Sequence, residues 1–102
     1  PVFSTVTSLN PAKIAKLQYA QNPPVGWSDE QAALNRWILS QPYCVDITTV
    51  LSDERGQLED IYTTDGLHPD SAAKRFIGET ISNYLRARFP QVVEPILREP
   101  RL

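Results

Sequence analysis

The chain opens on a short apolar run. It then switches between runs of that kind and stretches in which apolar residues recur every three to four positions. Residues 2–7, Val-Phe-Ser-Thr-Val-Thr, are β-branched and partly apolar, which predicts a strand. Asn10-Pro11 then supplies a good helix cap and a favoured first helical residue, so Ile14, Ala15, Leu17 and Gln18 are expected in a short helix. Asn22-Pro23-Pro24-Val25-Gly26 reads as a loop. Ser28 followed three residues later by Gln31 fits a capping box, and Ala33, Leu34, Trp37 and Ile38 follow at helical spacing. A helix over 29–39 is expected, ended by Gln41-Pro42, with Trp37 in the core. Residues 43–47, Tyr-Cys-Val-Asp-Ile, form a nearly unbroken apolar run, as in a parallel strand covered on both faces. A polar, glycine-containing turn (52–57) and an irregular approach (58–64) precede Pro69, which suits the first position of a helix over 69–88. Ala72, Ala73, Phe76, Ile77, Thr80, Ile81, Tyr84 and Leu85 mark one face of that helix, and Arg86 and Arg88 suit its carboxyl end. Pro90, Pro95 and Pro100 predict an irregular tail over 90–102, with Val92, Val93, Ile96 and Leu97 available to pack on the body.

Strand, helix, strand, helix is the order of parallel βα units with right-handed crossovers. Two strands alone make a poor sheet, so further strands are expected from a missing part of the chain or from a partner. The 102 residues suffice for one small domain, and 41% hydrophobic with 22% charged residues is an ordinary globular balance. A net charge of −2 with mixed signs offers no nucleic-acid surface, and no run approaches the roughly 20 apolar residues of a membrane span. The single cysteine, Cys44, cannot form an internal disulfide and reads as a buried thiol, and no Cys/His spacing suggests a metal. With no methionine anywhere, processing or truncation upstream of Pro1 is expected.

The segment that carries chemistry is Tyr62-Thr63-Thr64-Asp65-Gly66-Leu67-His68-Pro69. It holds the chain's one histidine, three residues after an aspartate, at a loop-to-helix junction. A general base needs an imidazole that accepts a proton near neutral pH, and an acceptor that fixes its tautomer and stabilises the imidazolium. A carboxylate three residues earlier, on a loop bent at Gly66, can fold back to do this. The other reading of the same residues is an Asp-Gly turn followed by a histidine at a helix start.

Asp65-Gly66-Leu67-His68-Pro69 resembles the last conserved block of the SGNH/GDSL hydrolases. Pro1 to Thr7 resembles the strand after that family's third block, and Leu34-Asn35-Arg36-Trp37-Ile38 resembles its helix with an "aLN" signature. Val45-Asp46-Ile47 resembles its next strand, and the stretch from Leu51-Ser52-Asp53 to Gly56-Gln57-Leu58 resembles the connection before the final block. The likeness spans about residues 1–88 in order; the tail after Phe89 has no counterpart. It implies the C-terminal part of a three-layer α/β/α (flavodoxin-like) fold with parallel strands, occupying residues 1–89. It also implies a serine ester hydrolase acting on an acyl or acetyl ester, with His68 as general base and Asp65 as its orienting carboxylate, and no cofactor or metal.

Two departures stand out. Ala73 occupies a position where many members have glycine, a harmless change in a helix. The Gly-Asp-Ser and Gly-x-Asn blocks that supply the nucleophile and oxyanion hole do not occur, so these are expected from a missing N-terminal segment of the same domain. None of Ser4, Ser8, Ser28, Ser40, Ser52, Ser71 and Ser82 fits as a substitute. Ser28 and Ser71 read as helix-start residues, and Ser4 and Ser8 lack a glycine for a sharp turn. Asp46 reads as structural at a strand end, Asn10 as a cap, Tyr62 and Thr64 as turn or pocket-lining residues, and Trp27 as a loop residue at a substrate rim. The contrasting functional class is a non-catalytic α/β interaction module, or a decayed hydrolase that keeps the motif as a turn.

Overall fold

The computed structural model describes residues 1–16 and 23–99. Two short strands, β1 (Phe3–Ser4) and β2 (Cys44–Val45), lie parallel with Phe3 opposite Cys44 and Ser4 opposite Val45. The Phe3 N–H donates to the Tyr43 carbonyl and the Thr5 N–H to that of Val45, both at 3.0 Å. Between the strands in sequence come helices α1 (Pro11–Ile14) and α2 (Trp27–Leu39); after them come α3 (Ser71–Arg88) and α4 (Pro90–Leu97). Helices and a small parallel sheet make this a mixed α/β arrangement, as the order of elements predicts.

Both strands are shorter than the apolar runs suggested, and side chains explain why. Val6 lends its N–H to Asn35 Oδ1 (2.8 Å), and its carbonyl accepts from Asn35 Nδ2, Gln31 Nε2 and Thr48 Oγ1. Its polar groups are therefore spent on side chains, not on a ladder. At the end of β2 the Ile47 N–H donates to the buried Thr5 hydroxyl at 2.9 Å, in place of a backbone carbonyl. Asp46 completes this knot by accepting from the N–H groups of Thr48 and Thr49 and from the Thr49 and Thr5 hydroxyls. Burial opposes ionisation of Asp46, but those hydrogen bonds outweigh it and hold its pKa below the ordinary value. The role of Asp46 is structural, as its position at a strand end suggested.

Asn10 caps α1 by accepting from the Lys13 N–H, with Pro11 at the first helical position. The proposed residues Leu17 and Gln18 lie outside the described residues. α2 begins at Trp27, ahead of Ser28, because Gly26 at φ 84° turns the chain directly into the helix. The Ser28 capping box therefore does not form, and Trp27 is the first helical residue instead of a loop residue. Ser71 starts α3, two residues later than Pro69 would have, because Asp70 takes the cap and accepts from the Ala73 N–H at 2.9 Å. Pro69 instead pairs with Thr63 in an isolated antiparallel bridge.

The described part of the expected tail is helical. Pro90 at the first position presets φ for a helix, and Val92, Val93, Ile96 and Leu97 then fall at helical spacing. Pro95 inside α4 has no N–H for the Gln91 carbonyl, which lies on an exposed stretch where water can serve it. Rings of Tyr43 and Tyr84 pack on Phe89 at the α3–α4 junction.

The buried residues are few. Leu51, Leu58 and Ala73 form the central cluster, flanked by Tyr62 and Ile77. The Ala73 methyl is fully enclosed there. Trp37, expected in the core, is 53% exposed and meets the Phe3 ring edge-on at 5.3 Å. Its helical spacing is as read, but among the described residues only Phe3 stacks against its ring. Cys44 is a free, partly exposed thiol, not a fully buried one.

Candidate active site

Asp65 and His68 are brought together by a loop over residues 63–69 whose shape is set by its own side chains. Gly66 sits at φ 84°, a conformation that a Cβ disfavours. A Cβ there would also meet the Asn10 carbonyl and lie 2.8 Å from Ile14 Cγ1. Glycine is thus required twice, for the bend and for the approach to α1. The Asn10 N–H donates to the Gly66 carbonyl at 2.8 Å and its side-chain amide donates to the Leu58 carbonyl at 2.9 Å. Asn10 is therefore both the cap of α1 and the strut beneath the loop, a second role that its sequence position did not reveal. Lys13, one turn on, donates through Nζ to the carbonyls of Asp60 and Thr63 and pairs with the Asp60 carboxylate at 3.4 Å.

Within the loop, Asp65 divides its two oxygens. Oδ1 accepts from the N–H groups of Leu67 and His68, each at 2.8 Å, and Oδ2 lies 2.6 Å from His68 Nδ1. The hydrogen bond from the His68 ring is the largest influence on the carboxyl, followed by the His68 and Leu67 N–H groups. Together they hold its pKa far below the ordinary aspartate value. An ionised carboxylate only accepts, so His68 must donate through Nδ1. In the neutral ring Nε2 is then left with its lone pair. The His68 side chain is 77% exposed and that of Asp65 34%. The ring is neither turned from its partner nor sealed in apolar packing, and among the described residues none is hydrogen-bonded to its second nitrogen.

Thr63 lies within the motif, and the sequence pattern around it assigns it no chemistry. Its side chain is buried, accepts from the Gly66 N–H at 2.9 Å and donates to the His68 carbonyl at 2.8 Å. A threonine three residues before a bend is the ordinary sign of such a local hydroxyl turn, and that signal was available. Tyr62 packs its ring against Phe76 at 5.7 Å and belongs to the core, while Thr64 is exposed.

No serine hydroxyl among the described residues is hydrogen-bonded to the His68 ring. Ser8 is buried with its Oγ unpartnered, Ser40 and Ser52 donate to the carbonyls of Trp37 and Thr48, and Ser28 and Ser71 lie in the first turns of their helices. No group of three or more His, Cys, Asp and Glu side chains is placed to hold a metal ion among the described residues. No described helix is long and apolar enough to cross a membrane. No protein-family profile, curated protein or solved structure matches this chain.

Proposed function

We propose that this chain is the C-terminal part of a serine ester hydrolase of the SGNH/GDSL type, in which His68 is the general base and Asp65 the carboxylate that orients it. The single observation that carries the reading is the 2.6 Å contact between Asp65 Oδ2 and His68 Nδ1, with the rest of the ring open to solvent. The nucleophilic serine and the oxyanion donors belong, in this reading, to residues outside these 102, and the three-layer α/β/α fold to the assembled domain.

The chemistry follows from the tautomer. As the serine oxygen attacks the ester carbonyl, Nε2 takes its proton and Asp65 stabilises the imidazolium through Nδ1–H. Nε2 then returns the proton to the leaving alcohol as the tetrahedral intermediate collapses to the acyl-enzyme. A water, deprotonated by the same nitrogen, attacks the acyl carbon and releases the acid, with the proton passing back to the serine. The substrate is an acyl ester, with a short acyl chain such as acetyl as the simplest case.

The test is hydrolysis of an activated short-chain ester by the polypeptide that carries both this segment and the serine. His68→Ala is expected to lower kcat by about 10⁴-fold or more. Full activity in that variant would remove His68 from the reaction.

A further inference from the structure

We infer that Thr63 is the positioning residue of the Asp65–His68 pair, its hydroxyl fixing the His68 main chain so that the ring can reach Asp65 with Nε2 outward. The inference rests on the reading of that pair as a proton relay. It starts from an imbalance. A side chain that is 77% exposed has little packing to hold it, so its direction must come from hydrogen bonds and from its own backbone. Asp65 supplies two of these restraints, at the His68 N–H and at Nδ1. Neither fixes the carbonyl side of His68, and the next residue is Pro69, which brings no N–H to the loop.

Thr63 supplies the remaining restraint. Its hydroxyl has one proton and two candidate acceptors, the His68 carbonyl at 2.8 Å and Asp65 Oδ1 at 3.5 Å. The shorter contact takes the proton. The same oxygen accepts from the Gly66 N–H, so one buried atom ties the bend to the base. The Thr63 carbonyl is itself held by Lys13 Nζ, and its main chain pairs with Pro69. His68 is thus gripped on its N–H by Asp65 and on its carbonyl by Thr63, and only the side-chain torsions remain for Oδ2 to set. Restraint of this kind is what a catalytic imidazole needs, since a displacement of about 1 Å costs on the order of 10²-fold in rate.

The experiment uses the chain itself, because His68 is its only histidine and its ring signals need no assignment. Long-range proton–nitrogen correlation, at a pH where the ring is neutral, reports which nitrogen carries the proton. The wild-type chain is expected in the Nδ1–H form. Thr63→Val keeps the volume and removes the hydroxyl, and it is expected to shift His68 to the Nε2–H form that free imidazoles prefer, with Thr63→Ser restoring the wild-type spectrum. Ile38→Ala, a core change on α2, is expected to lower stability without altering the tautomer, which separates positioning from mere destabilisation. Should Thr63→Val fail to fold, Thr63→Cys, a weaker donor of similar size, is expected to give an intermediate tautomer ratio. In the assembled hydrolase Thr63→Val is expected to lower kcat about 10²-fold with KM little changed. A folded Thr63→Val or Thr63→Cys with the wild-type tautomer overturns this inference and leaves the proton relay standing. A wild-type chain in the Nε2–H form overturns both.

Discussion

The loop over residues 63–69 and the sheet with its helices differ in how much apolar surface they leave uncovered. In the loop the Thr63 hydroxyl, the Asp65 carboxylate and the Gly66 main chain find hydrogen-bond partners within the same few residues or at Asn10, the cap of α1. Around the sheet the polar groups are paired as well, but much apolar surface stays uncovered. β1 and β2 are two residues each, while Val2, Val6, Leu34, Trp37, Leu39, Phe76, Val92 and Ile96 are exposed. Hydrogen bonds of this kind are local and need only the loop with Asn10 and Lys13 beneath it. Apolar burial needs layers, and two short strands with three longer helices around them supply few. The candidate site can therefore be well formed in a chain whose hydrophobic faces are largely uncovered.

The sharpest way to break this contrast is to compare a residue at the small core with one on an open face. Leu58 is fully buried, and Leu58→Ala is expected to cost about 2–5 kcal/mol in urea unfolding. Val92 is 61% exposed, and Val92→Ala is expected to stay within about 0.5 kcal/mol. Equal losses would mean that α4 is packed in solution.

A second comparison sets two glycines of like conformation side by side. Gly66→Ala suffers both the left-handed backbone and the collision with Asn10 and Ile14, together about 2–4 kcal/mol. Gly56, at φ 75° with nothing near its missing Cβ, is expected to lose only about 1 kcal/mol on the same change. Calorimetric melts of the two variants would separate backbone strain from steric approach.

The smallest effect is a dependence on pH. The folded pKa of Asp65 lies below its ordinary value of 3.8, so the carboxylate stabilises the fold fully above that pH. That stability is lost as pH falls through the folded pKa in the strongly acid range. Asp65→Asn keeps an oxygen for the Leu67 and His68 N–H groups but removes the charge. The stability gap between wild type and variant, measured by denaturant melts, is therefore expected to narrow steadily below about pH 4. A gap that widens on acidification would reverse the sign of the coupling.

Local signals were the legible ones. Asn10-Pro11 announces a helix start, Asp65-Gly66 a bend, and Asp65 with His68 a pair, because each is decided within a few residues. The apolar runs at 2–7 and 43–47 correctly gave parallel strands but not their length, which depends on the amides of Gln31 and Asn35 reaching Val6 and on the Thr5 hydroxyl taking the Ile47 N–H. Ser28 and Pro69 were plausible helix starts that lost to residues close by, Gly26 and Asp70, whose backbone and side chain respectively set the helix starts. Trp37 was misplaced because periodicity shows which residues share a face and is silent on what covers it. The prolines of the tail predicted irregular structure, yet Pro90 stands where a helix tolerates it. The position of Thr63 before the Gly66 bend signals a local hydroxyl turn, but not that the same hydroxyl gives its proton to the His68 carbonyl.

Asn35 touches the Val6 peptide on both sides, standing in for the amide of an adjoining strand. The reach of the ladder is consequently encoded on α2, some thirty positions from where it takes effect. Substituting alanine at 35 would leave the β-forming character of the first residues intact and still liberate a main-chain proton at Val6, seen as faster deuterium uptake on an element that had not been altered.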